Sequence, residues 1–80
     1  MNQVVFTYKG KQINIQCDEN NKMSDICSKF AKKAGVDKNN IFFCYDGKGG
    51  IDFNENQTFI QMAKHSNQIN ILVYDKKKKW

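Results

Sequence analysis

Hydrophobic and polar side chains exchange places along this chain with two different periods. Val4, Phe6 and Tyr8 alternate with Val5, Thr7 and Lys9, and Ile13, Ile15 and Cys17 alternate with Gln12, Asn14 and Gln16. Alternation of period two sends successive side chains to opposite faces of a strand. Lys9-Gly10 between the two runs is a turn signal, so the pattern predicts a β-hairpin. A two-residue turn there pairs Phe6 with Ile13 and Val4 with Ile15 on one face.

The period then lengthens. Met23, Ile26, Cys27, Phe30, Ala31 and Ala34 recur at steps of three and four, with Ser24, Asp25, Ser28, Lys29, Lys32 and Lys33 on the other side. This spacing predicts an amphipathic helix of about three turns. Asn20 or Asn21 is placed to cap its start. Asp25 in the first turn and Lys32 and Lys33 in the last suit the helix dipole. Gly35 suits the left-handed residue that ends it.

Residues 41–45 and 69–74 are rich in strand formers and predict two more strands. Between them a glycine-rich loop is expected at 46–50 and a short strand at 51–53. Thr58 is expected to cap a single helical turn carrying Phe59, Met62 and Ala63. An apolar helix stripe needs a sheet face to cover it. The predicted fold is therefore α+β: a mixed sheet of four to five strands, one main helix packed on one face, and the last strand beside the first.

Eighty residues suffice for one domain, assigned to 1–75, with 76–80 as a basic tail or the start of a linker. A hydrophobic content of 40% argues against disorder. The net charge of +5 is misleading, because every cation is lysine and four of them form the run 76–79. Without that run the body of the domain is close to neutral. The run lacks the arginines and interleaved aromatics of a nucleic-acid surface, so a solvated linker is expected, with neither nucleic acid nor membrane as partner.

Candidate chemistry is thin. Cys17, Cys27 and Cys44 are odd in number and have no paired spacing, which predicts free thiols rather than a disulfide or zinc framework. Free thiols, with no signal peptide and no long apolar run, predict a cytoplasmic or nuclear location. Asp52-x-Asn54-x-Asn56 opens like a calcium loop but lacks the following glycine and closing glutamate. The loop 47–50 lacks the Lys-Ser/Thr of a phosphate-binding loop. Nothing orients His65 toward Cys44. No catalytic residue, metal ligand, cofactor or small-molecule substrate is expected; the chain reads as a monomeric protein-binding domain, not an enzyme.

The order of these pieces resembles the ubiquitin-like β-grasp family over about residues 3–74. The likeness is carried by the hairpin with Gly10 and Ile13/Ile15, the helix ending at Gly35-Val36, Asn40-Ile41-Phe42-Phe43-Cys44-Tyr45-Asp46-Gly47-Lys48, and Ile69-Asn70-Ile71-Leu72-Val73. Phe43-x-Tyr45-Asp46-Gly47 is similar to the SUMO branch. The resemblance implies recognition by other proteins through the open face of the sheet, at positions matching Tyr8, Cys44, Asn70 and Leu72, with Lys48 in the glycine-lysine turn. Modifiers of this family end in a Gly-Gly pair, whereas no glycine follows Gly50 here. The expected role is a non-conjugated module within a longer protein, recruiting ubiquitin-pathway or proteasome-type partners; a processed modifier is the less favoured reading.

Alternation gives the same face independently. If Phe43, Ile69 and Ile71 point to the helix, then Phe42, Cys44, Asn70 and Leu72 point away, joined by Val5. Apolar residues grouped on an exposed face mark interaction sites. The alternative surface is the groove between the second strand and the helix. There a SUMO-like domain receives a short apolar-acidic peptide as an added strand, and Ile15, Lys29 and Lys33 would receive it here.

Overall fold

The computed structural model describes residues 2–45 and 56–76. Its elements are strands β1 (Asn2–Tyr8) and β2 (Lys11–Cys17), helix α1 (Met23–Ala34), a 3-10 turn (Lys38–Asn40), strand β3 (Ile41–Tyr45), helix α2 (Phe59–Ala63) and strand β4 (Gln68–Asp75). The described strands run in the order β2-β1-β4-β3. The central pair, β1 and β4, is parallel, and the two outer pairings are antiparallel. This is the predicted mixed sheet, with four strands among the described residues. The loop 46–50, the strand predicted at 51–53 and the tail residues 77–80 lie outside them.

The hairpin forms in the predicted register, with Val4 opposite Ile15 and Phe6 opposite Ile13. Lys9 and Gly10 both have positive φ, +50° and +79°. A type I′ turn requires this, because its twist matches that of the flanking strands. Gly35 ends α1 in the left-handed conformation, and the amides after the helix return to the Ala31 and Lys32 carbonyls.

The start of α1 differs from expectation. Its N-cap is Lys22, which offers no side-chain cap. Asn21 is already engaged, because its side-chain oxygen accepts from the Asp18 amide at 2.8 Å. The first helical amide, Met23, donates instead to the Gln57 carbonyl at 2.7 Å. Phe59 and Ile60 donate to the Asn21 and Glu19 carbonyls in return. A backbone segment remote in sequence therefore supplies what a local cap would have supplied. α2 has the predicted cap: Thr58 Oγ1 accepts from the Gln61 amide, and the Gln61 side chain accepts from the Thr58 amide.

The core lies between α1 and one face of the sheet. Met23, Ile26, Cys27, Phe30 and Ala31 pack there with Val4, Phe6, Ile15, Ile69, Ile71 and Val73. Phe30 is the centre of it. Its ring stacks on Phe6 with centroids 4.5 Å apart, and meets Tyr8 and Phe43 edge-on at 5.9 and 6.1 Å. Offset and edge-on contacts both suit the charge distribution of aromatic rings. Cys27 is buried in this layer, and burial pushes its thiol up to about 12, so it stays neutral.

One backbone position is strained. Lys64, after α2, has φ +58° and ψ −106°. The Ser66 amide donates to the Ala63 carbonyl at 3.0 Å, which makes residues 63–66 a type II′ turn with Lys64 where glycine is favoured.

Two substitutions should move stability in opposite directions. Phe30→Ala removes the ring shared by three aromatic partners and should cost about 3–5 kcal/mol. Lys64→Gly should gain about 1 kcal/mol, since relief of the strained φ exceeds the added chain entropy. Urea unfolding midpoints check both; a lower midpoint for Lys64→Gly would show that the turn carries no strain.

Candidate interaction surface

With α1 on one face, strand alternation decides what reaches the other. Gln3, Val5 and Thr7 of β1, Gln12, Asn14 and Gln16 of β2, Phe42 and Cys44 of β3, and Gln68, Asn70, Leu72 and Tyr74 of β4 stand on the open side. The burial pattern of β4 shows the division most clearly: Ile69, Ile71 and Val73 are buried, and the residues between them are exposed.

The face has two halves. Toward β3 it is apolar. Phe42 and Tyr74 face each other across the β3–β4 pairing, with rings stacked at 5.4 Å and 30° between planes. Their exposures are 40% and 47%, and neighbouring Leu72, opposite Cys44, is 36% exposed. Large apolar side chains left this open are the kind that anchor partners. Strand β2 and the starts of β1 and β4 carry amides instead. Gln3 Nε2 donates to Gln68 Oε1 at 3.0 Å, and Gln68 Nε2 donates to Asn70 Oδ1 at 2.8 Å. The strand residues on this face are uncharged, but Lys76, which follows β4 in the same parity and donates its amide to the Asn40 carbonyl at 2.9 Å, sets a cation at its edge beside Phe42 and Tyr74.

Phe42, Cys44, Asn70 and Leu72 thus come together on one surface. Val5 joins the same face but is only 9% exposed, so it adds little contact area. Tyr74 was missing from the sequence reading. Its signal was its parity with Leu72, and its importance depends on the β3–β4 register that sets it against Phe42. Lys48 lies outside the described residues.

Tyr8, placed on this face by the resemblance, stands on the opposite one. It shares parity with Val4 and Phe6, and its ring packs on Phe30. Its hydroxyl donates to Asp75 Oδ1 at 2.6 Å, and Lys9 Nζ lies 3.3 Å from Asp75 Oδ2. This cluster ties the hairpin turn to the end of β4. Beside it a depression of ≈ 390 Å³ is bounded by the Lys9-Gly10 turn, Leu72 and Tyr74.

Of the alternative site, β2 is an edge of the described sheet, Ile15 is buried in the core, and Lys29 and Lys33 are exposed on α1. A smaller hollow of ≈ 250 Å³ lies between Gln16, Cys17, Asp18, Asn21 and Lys29 and includes neither Ile15 nor Lys33. Burial and the Asp18 carboxylate raise the Cys17 thiol above its usual value. Among the described residues no three His, Cys, Asp or Glu side chains are grouped to hold a metal ion, and no helix is long and apolar enough to cross a membrane.

No protein-family model matches this chain, and neither does any curated protein. Solved structures do match. An Arabidopsis thaliana protein, At2g32350, determined from evolutionary couplings and sparse NMR data, superposes with a TM-score of 0.77 at 14% identity, covering 98% of this chain and 89% of that one. A computationally designed protein based on human erythrocytic ubiquitin gives 0.73 at 18% identity, covering 100% and 98%. A chain in the crystal structure of ATBAG1 in complex with HSP70 gives 0.73 at 9% identity, covering 95% of this chain and 41% of that one. At such identities the likeness shows the fold, which is the ubiquitin-like β-grasp.

The Tyr8–Asp75–Lys9 cluster fixes a pH window. The Tyr8 hydrogen bond, then Lys9, holds the Asp75 carboxyl below its usual range. A lowered acid contributes stability above about pH 4 that is lost as pH falls. The hydrogen bond with Asp75 raises both Tyr8 and Lys9. Their contribution is present below about pH 10 and lost as pH rises. Tyr8→Phe should therefore lower the urea midpoint at neutral pH and flatten its decline on both sides. An unchanged pH profile would show that the cluster is incidental.

Proposed function

We propose that this chain is a non-conjugated ubiquitin-like module that binds other proteins through its open sheet face, and that its partners belong to the ubiquitin pathway or proteasome. The observation that carries the reading is the exposed Phe42–Tyr74 stack beside Leu72. Ring pairs already held together lose little freedom on docking, so their apolar area converts into affinity with a small entropy cost. The amides of Gln3, Gln68 and Asn70 beside them supply donors and acceptors for a polar rim. The module is proposed to act as a monomer in dilute solution, in the cytoplasm or nucleus, and without enzymatic activity.

The open edge of β2 supports a second reading, in which a short apolar-acidic peptide adds as a strand beside Ile15 with Lys29 and Lys33 flanking it. The two readings use opposite sides of the molecule.

A titration of labelled chain with a proteasomal ubiquitin-receptor domain, followed by amide shifts, tests the first reading. Shifts should cluster at Phe42, Leu72 and Tyr74, and Phe42→Ser with Leu72→Ser should weaken binding about tenfold or more. Shifts on β2 and α1 with an apolar-acidic peptide, and none on the open face with the receptor, would replace it with the second.

A further inference from the structure

We infer that the corner of the open face formed by Phe42, Tyr74 and Lys76 binds single-stranded nucleic acid, with a base laid against the aromatic stack and phosphates on the lysines that begin there. The inference does not rest on the protein partner proposed above; it assigns this corner a second class of ligand.

The first argument is a juxtaposition that the order of residues conceals. Along the chain, the lysine run 76–79 has no aromatic side chain or arginine interleaved with it. Strand pairing supplies what the run lacks. Phe42 stands opposite Tyr74, and the Lys76 amide donates to the Asn40 carbonyl at 2.9 Å, so the β3–β4 ladder continues one residue past Asp75. Lys76 shares the parity of Leu72 and Tyr74 and is exposed. The first cation of the run therefore stands on the open side, next to the ring pair. Aromatic rings for the bases and lysines for the backbone are the two components of a single-strand site.

The second argument is the form of the stack. The ring centroids are 5.4 Å apart with 30° between the planes, and the two residues remain 40% and 47% exposed. Each ring spends one face on the other, and a planar base extends the column in the same offset geometry. All bases have such a face, so the contact is tolerant of sequence and of the sugar. An acidic side chain would pair with the lysines and leave the π faces unused.

The third argument is sign. The chain carries +5, and none of the described strand residues on the open face is acidic. The carboxylate next to the run in sequence, Asp75, has the opposite parity. Its Oδ1 accepts from the Tyr8 hydroxyl at 2.6 Å and its Oδ2 lies 3.3 Å from Lys9 Nζ. It is thus held on the helix side, where it competes little with a phosphate for Lys76. A contact of a few phosphates and a base is weak, with a dissociation constant on the order of 100 μM.

The test is fluorescence anisotropy of labelled oligothymidine of about ten nucleotides with the full 80-residue chain, beside an abasic strand of the same length and vesicles of phosphatidylserine and phosphatidylcholine. Oligothymidine should bind at least about fivefold more tightly than the abasic strand, and oligouridine should match it. Tyr74→Ser, or Phe42→Ser if the first variant fails to fold, should abolish the difference between based and abasic strands. Lys76→Gln should weaken both strands alike and reduce the salt slope between about 50 mM and about 200 mM by about one. Amide shifts with oligothymidine should cluster at Phe42, Tyr74 and Lys76 and spare β2. Equal binding of the abasic strand, shifts confined to other surfaces, or binding to the vesicles with none to oligothymidine would overturn the inference. The receptor titration contains no nucleic acid, so either reading can fail without the other.

Discussion

The stack of Phe30 on Phe6 holds this molecule together as two layers. One helix has to cover a sheet of four strands, and the sheet has two faces. Phe30 places its ring where the hairpin half and the β3–β4 half both reach it, through Phe6 and Tyr8 on one side and Phe43 on the other. The helix is therefore used up on one face. What remains open opposite is the geometric remainder of that arrangement, and its chemistry is free to serve recognition.

That division explains why the surface is more informative than the core. Buried positions follow from the need to exclude water, and any apolar side chain of suitable volume meets it. The open face has no such requirement, yet it carries a stacked aromatic pair and a connected row of amides. Exposed aromatics on a strand cost solvation and favour association, and the proposed binding role rests on their placement here.

Much of this was legible in the sequence because it depends on local geometry. The alternation of residues 4–8 and 12–17 fixed the hairpin register, and Gly10 fixed its turn. The three- and four-residue steps from Met23 to Ala34 fixed the helix and its end at Gly35. Thr58 announced the short second helix. What escaped reading depends on contacts between distant segments. The start of α1 is completed by the Gln57 carbonyl, so no local cap was needed and Asn21 was free for a turn. Tyr74 became part of the site only through its pairing with Phe42. The strain at Lys64 has no sequence signature, because lysine is ordinarily indifferent to turns. Tyr8 was legible by its own parity and was misplaced only by following the resemblance.

The parallel pairing of β1 with β4 has a consequence for how the chain acquires its structure during synthesis. The first strand to leave the ribosome finds its central partner only in the last: Gln3 bonds to Gln68 across 65 positions of sequence. The hairpin and helix can form early, but the centre of the sheet cannot close until nearly the whole domain has emerged. Loop closure of that length must precede the contacts that reward it, which makes assembly slow and late. Until then the apolar edge of β1 stays unpaired and accessible to chaperones. Any truncation before β4 would leave a nascent chain with its core permanently half built.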